Sequence, residues 1–150
     1  MAVKIGKDCA VSIGANDVAG MGTWSLSGIS SDQLETSVFG DNWKTYEFGM
    51  KDGGQITFSG LFDPADTTGQ DVLKEANLAN TDLTTLRFYV DNTSYYECCQ
   101  TTGYWTPSDS VGNDTVLSHL NVTSWDVSAD KSGLMQTNFT CKVSGCMVLV

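Results

Sequence analysis

The stretch Glu47–Asn80, EFGMKDGGQITFSGLFDPADTTGQDVLKEANLAN, constrains this chain more than any other. It reads as strand, turn, strand, corner and helix. Lys51-Asp52-Gly53-Gly54 predicts a hairpin turn, because both glycines can take the positive φ that twisted antiparallel strands need between them. Gln55–Phe62 alternates, with Ile56, Phe58 and Phe62 on one face and Gln55, Thr57 and Ser59 on the other. Pro64 lacks the N–H of a ladder residue and ends that strand. Thr67-Thr68-Gly69-Gln70 has the spacing of a capping box. A helix is therefore expected over about residues 67–79, with Val72, Leu73, Ala76 and Ala79 as its apolar stripe.

Elsewhere the period is two. Cys9–Ala15, Thr23–Ile29, Trp43–Phe48, Leu86–Val90, Ser94–Cys99, Val116–Val127 and Leu134–Val143 all read as strands, with turns at Asp91-Asn92-Thr93 and Ala129–Gly133. Ser31–Asn42 and Gly103–Asp114 read as long loops, the first carrying Leu34, Val38 and Phe39. Short strands at this spacing predict a mainly β fold, a β-sandwich or partial barrel with one short α-helix. A length of 150 residues and the lack of any linker-like tract fit one domain, 1–150.

Eighteen acidic residues stand against eight basic ones, a net charge of −10, and Arg87 is the single arginine. Nucleic-acid affinity comes largely from Lys and Arg neutralising phosphates, so a tight nucleic-acid binder is excluded. No apolar run reaches the length that spans a bilayer, and the first residues lack a signal-peptide core. No membrane partner and a cytoplasmic origin are expected. Five cysteines, an odd number, argue against a disulfide framework. Cys141, Cys146 and His119 lack zinc-finger spacing, so free, packed cysteines, no metal and no cofactor are expected. His119 has no partnered nucleophile. Asp63, Asp66 and Asp52 lack the spacing of a calcium loop and read as corner and cap residues. Trp24, Trp43, Trp105 and Trp125 fit either a sugar-stacking platform or core and interface positions. No catalytic residue can be assigned, and no enzyme activity is expected.

Lys51–Asp66, KDGGQITFSGLFDPAD, followed by a helix, resembles the signature of the tail tube (major tail) proteins of long-tailed bacteriophages. In that family a D-G-G-x-I-x-F-x-G strand leads to D-P-x-D and a helix. Asp130–Gly145 is similar to the family's last hairpin, and Ser124-Trp125 precedes it as in the family. By order and spacing of elements the resemblance covers most of Glu35–Gly145.

The resemblance implies a structural virion protein that polymerises as stacked hexameric rings into a tail tube conducting DNA from capsid to host cell. Family members may carry an extra immunoglobulin-like domain after the tube domain, and no C-terminal immunoglobulin-like domain is expected here. The expected partners are copies of itself, a tape-measure protein, a tail terminator and distal tail proteins, with DNA passing through the lumen without tight binding. The expected location is the virion tail, assembled in the host bacterial cytoplasm. On this reading the inter-ring stacking loop is Ser31–Asn42, carried by Leu34, Glu35, Val38 and Phe39, and the N-terminal arm holds Val3, Lys4 and Ile5. Lumen-facing candidates from alternation are Thr45, Glu47, Gln55, Thr57 and Ser59. A neutral or acidic bore would let a polyanion slide. The alternatives are a monomeric carbohydrate-binding or adhesive β-sandwich, a small hydrolase with a carboxylate pair, and the tube of a related contractile tail or secretion machine.

Overall fold

The computed structural model describes residue 4, residues 6–98 and residues 118–150. Along the chain lie β1 (Ala10–Ile13), β2 (Asn16–Asp17), β3 (Met21–Ser27), β4 (Ser30–Glu35), β5 (Tyr46–Asp52), β6 (Gln55–Leu61) and α1 (Gln70–Ala79). Then follow β7 (Asp82–Leu83), β8 (Leu86–Tyr89), β9 (Tyr95–Cys98), β10 (His119–Ser128), β11 (Gln136–Ser144) and β12 (Met147–Leu149). The strands make one sheet in the order β12-β9-β8-β1-β2, a second in the order β3-β6-β11-β10-β7, and a separate pair β4-β5. All pairings are antiparallel. The fold is mainly β, a sandwich with one short helix. The Gly103–Asp114 loop of the sequence reading lies outside the described residues.

Alternation explains the sandwich. On β6 and β11, Ile56, Phe58, Phe139, Cys141 and Val143 point inward and are buried. From the facing sheet come Val11, Leu86, Phe88 and Cys98. Phe58 bridges the layers, its ring 5.3 Å from Phe88 across the core and 5.3 Å from Phe139 beside it. Trp24 closes one side against Phe88 and Tyr96, and its Nε1–H donates to the Tyr89 carbonyl. Leu73 and Ala76 press α1 onto the same core. Burial of Cys141 pushes its thiol pKa up to about 12, so it packs as a small apolar group.

The helix ends where expected, at Ala79, but differs from its expected form at its start. It begins at Gln70, and its first N–H groups are taken by Asp66 instead of Thr67. The Asp66 carboxylate accepts from the Gly69, Gln70 and Ala19 N–H groups at 2.9–3.1 Å. Gln70 is buried and reaches the other way. Its Oε1 accepts from the Asp63 N–H, and its Nε2 donates to the Ala19 and Leu61 carbonyls. A charged acceptor outcompetes a hydroxyl for several convergent donors. The buried stripe is accordingly Gln70, Leu73 and Ala76, while Ala79 is exposed. At the other end Asn80 takes the left-handed conformation, φ 53°, and donates to the Asn77 carbonyl.

Lys51–Gly54 is not a hairpin turn. β5 pairs with β4, and β6 pairs with β3 and β11. Ser27 lies opposite Gln55, and Ser30 opposite Asp52. Thus β3–β4 and β5–β6 are two long strands that stay side by side and bend together at Gly28 and Gly53-Gly54. Gly28 and Gly54 have φ of 78° and 83°. The positive φ expected at this point serves a bend shared by both strands, not a reversal of one.

Candidate assembly site

Beyond that bend β4 and β5 leave the sandwich as a two-stranded arm. The segment read as the loop Ser31–Asn42 is therefore half strand, and only its later part is a tip. Nearly every residue of the arm is exposed. Its root is fixed to the body. The Lys142 ammonium donates to Asp52 Oδ1 at 2.6 Å and to the Gly54 carbonyl at 3.2 Å, and the Gly54 N–H donates to the same Asp52 oxygen. The Lys142 hydrogen bond, then that of Gly54, holds the Asp52 carboxyl below its ordinary range.

The tip is ordered by its own hydrogen bonds. The Thr36 N–H donates to the Thr45 carbonyl, and the two hydroxyls meet at 2.8 Å. Val38-Phe39-Gly40-Asp41 is a turn closed by the Asp41 N–H on the Val38 carbonyl, while Asp41 Oδ2 accepts from the Val38 N–H. Gly40 has φ 93°, as the third position of a type II turn requires. Phe39 sits at the apex with its side chain wholly in solvent, 108% exposed, and Trp43 is 84% exposed. Ile29, Leu34, Val38, Tyr46, Phe48 and Met50 extend this apolar surface down the arm. So large an exposed apolar surface on a projecting element is characteristic of an interface.

The second surface is the outer face of the β3-β6-β11-β10 layer. Rows across it read Ser27, Gln55 and Lys142, then Ser25, Thr57, Thr140 and Ser124, then Thr23, Ser59, Asn138 and Asp126. Side chains bond along the rows: Thr23 Oγ1 lies 2.8 Å from Ser59 Oγ, and Asn138 Nδ2 donates to Asp126 Oδ1 at 2.9 Å. The face is small, polar and nearly uncharged. Among the described residues both flanks of the layer lack a full partner strand, and β3 is an edge strand along its whole length. On the far side β7 pairs only with Leu120 and Asn121 of β10, so among the described residues no strand lies beside Thr123–Ser128.

The structure sorts the sequence candidates unevenly. Gln55, Thr57 and Ser59 lie together on the polar face, as alternation predicts. Thr45 and Glu47 do not join them: they sit on the arm, on the face that also carries Leu34 and Thr36. The shared bend separates the two sets, and the only acid among the five candidates is on the arm. Leu34 and Glu35 point to opposite faces of the arm, with Val38 and Phe39 at its tip. Of the N-terminal arm, Val3 and Ile5 lie outside the described residues. Lys4 pairs with Asp91 in the β8–β9 turn at 2.6 Å and draws that carboxyl far below its ordinary range.

Other candidates resolve into structure. His119 Nε2 lies 3.6 Å from Asp82 on the polar side of β10. Asp63 Oδ1 accepts from the Ala65 N–H at the corner, and Asp66 caps the helix. Trp24 packs on the core, Trp43 is on the arm, and Trp125 is half-buried near α1 with the Lys74 ammonium 5.7 Å from its ring. These three form no shared platform, and Trp105 lies outside the described residues. Among the described residues no helix is long and apolar enough to cross a membrane. Sequence reasoning missed Ile29 and Met50 as exposed arm residues, and the edge strand β12. The dense aromatic run Trp43–Phe48, without small polar partners of a core strand, was the available signal for the arm.

A mainly β sandwich with one helix, an extended arm and a polar layer, its flanks open among the described residues, is a fold shared with solved tail and tube assemblies. Solved structures bear this out over the whole chain. A chain in the tail of an empty gene transfer agent particle, refined helically with C6 symmetry, superposes with a TM-score of 0.70 at 12% identity, covering 99% of each chain. A chain in the native gene transfer agent virion gives 0.68 at 13% identity, again over 99% of each. A chain from the sheath/tube terminator of an extracellular contractile injection system gives 0.68 at 13% identity, over 100% of this chain and 98% of that one. No family model matches the sequence, and no curated protein does. At these identities the likeness is one of fold.

Proposed function

We propose that the protein is a structural tube subunit of a virion tail. Residues 1–150 form one tail-tube domain, and its role is scaffolding without catalysis. The observation that carries this reading is the polar outer face of β3-β6-β11-β10, bounded by two strand flanks that are open among the described residues. Four long strands alternate in direction, so a copy rotated about an axis brings its β3 antiparallel to the first copy's β10. A layer with an even number of strands closes by rotation into a continuous antiparallel barrel, which removes the exposed edges. The C6 symmetry of the similar gene transfer agent tail supports six copies per ring. The wall inside that barrel carries Gln55, Thr57 and Ser59. It is hydrated and nearly neutral, and its one lysine, Lys142, is paired to Asp52. Duplex DNA moving from capsid to host cell finds no array of cations to hold it. The arm, with Leu34, Glu35, Val38 and Phe39, links one ring to the next. A tape-measure protein, a tail terminator and distal tail proteins complete the tail, which assembles in the host bacterial cytoplasm.

Negative-stain microscopy and light scattering of the purified protein test this reading. Rings or tubes are expected, and a monodisperse monomer at high concentration would refute it. In a tail that ejects DNA, Thr57→Lys with Thr140→Lys should slow ejection while tubes still form, by adding a ring of cations. A second reading rests on the similarity to chains from a sheath/tube terminator and a tube-terminating cap. There the protein would form a single ring that ends a tube made by another chain, and purified protein would stop at rings.

A further inference from the structure

Leu61 and Phe62 lead from the polar layer into a cleft at the end of the sandwich opposite the arm. The cleft, of about 120 Å³, lies between the start of α1 and the inner side of β10 and β11. Its apolar walls are Phe62, Trp125, Val127 and Phe139, and its charged lining is Asp63, Asp66, Asp71 and Lys74. That size is on the order of cavities that accept one aromatic ring. β6 runs from the arm root at Gln55 to this cleft at Leu61, so the two features stand roughly 20 Å apart, at opposite ends of the strands.

We propose that this cleft receives the Phe39 turn from the arm of a copy in the adjacent ring, an inference that rests on the tube reading above. Three features point to a second copy as the occupant. The arm tip offers a fully exposed aromatic in a hydrogen-bonded turn, so little ordering entropy is lost on docking. The one cation of the tip, Lys44, suits a lining in which three carboxylates, Asp63, Asp66 and Asp71, outnumber the single lysine, Lys74. Arm and cleft lie at opposite ends of the body, so the contact is head-to-tail, and an axial head-to-tail contact does not close but propagates. A subunit holding both halves builds a tube of any length, whereas a terminating ring needs only one.

Mixing two crippled rings tests this. Phe39→Ser leaves a live cleft and a dead arm, and Val127→Arg a live arm and a blocked cleft. Each alone is expected to give unstacked rings, with ring–ring association down about tenfold or more, as when an anchoring aromatic is lost from an interface. An equimolar mixture should give paired rings that grow no further, seen by negative stain and sedimentation. Tubes of wild-type length from Val127→Arg, or a mixture with no paired rings, would overturn the proposal while leaving the tube reading intact. Absence of rings and tubes from the wild type would remove both. Should Val127→Arg lower the melting temperature, Asp71→Lys on the helix surface takes its place, with the same expected pattern.

Discussion

Body and arm use the same kinds of residue to opposite ends. In the body Phe58 meets Phe88 edge-on and stacks on Phe139, each at 5.3 Å, and all three are at most 2% exposed. In the arm Phe39, Trp43 and Phe48 stand in solvent. The body folds because each sheet hides one face against the other. The arm is a single two-stranded layer, and such a ribbon is marginal unless something packs against it. Its shape is held instead by the root clamp and by the bonded tip. One sequence thus encodes a region whose burial is complete within the chain, and another whose burial awaits a neighbour.

The sharpest way to break this contrast is a pair of truncations. Phe58→Ala should lower stability by about 3–5 kcal/mol, since a buried aromatic leaves a cavity among its partners. Phe39→Ala should change it by no more than ~0.5 kcal/mol and should act on stacking instead. Urea denaturation monitored by tryptophan fluorescence measures both. Comparable losses would show that the arm is part of the folded core.

The bend comes next. At Gly54, with φ 83°, an added Cβ would run into the Ser27 carbonyl. Gly54→Ala should cost about 1–3 kcal/mol through strain in the left-handed region and should re-aim the arm, so tube yield falls further than stability alone accounts for. Normal tubes from a destabilised Gly54→Ala protein would show that arm direction is not critical. A smaller loss, about 1–2 kcal/mol, is expected for Asp66→Ala, in line with removal of other helix-capping side chains. Thr67→Ala should be silent in the same melting experiment, and the reverse ranking would restore the capping box read from the sequence.

How much of this was legible follows the same division. Ile56 and Phe58 declare their face because a second sheet selects one side of every strand, and the polar mates Gln55, Thr57 and Ser59 follow. In the arm no such selection operates. Leu34 and Phe48 fall on opposite faces, and a bulge between Ser31 and Gln33 breaks the register, so β4 shows no period of two and reads as loop, while β5 keeps its alternation and reads as strand. The Gly53-Gly54 pair signals a sharp change of direction but not its partner strand. A hairpin and a bend shared by two strands need the same positive φ, and long-range pairing chooses between them. The capping box failed for a related reason: Asp66 acts through space on Ala19 as well as on the helix, a contact that spacing along the chain does not encode. The cleft was unreadable altogether, being assembled from α1, β10 and β11.

The smallest effect should come from pH at the arm root. Asp52 is exposed at the surface, and its carboxyl is lowered first by the Lys142 hydrogen bond and then by the Gly54 N–H. A carboxyl lowered in the folded state contributes stability that is present above its unfolded pKa, near ~3.9, and is lost as pH falls through the lower folded value. Between about pH 5 and 8 the Asp52 carboxyl stays ionised, so the clamp and the arm direction should be constant there. Loosening should begin only below about pH 4. Lys142→Met removes the principal cause and should move the Asp52 titration back towards that of an ordinary aspartate, read by NMR of the Asp52 carboxyl and the Gly54 amide. An unchanged Asp52 titration in Lys142→Met would show that the lysine does not hold the root, and that the paired glycines alone set where the arm points.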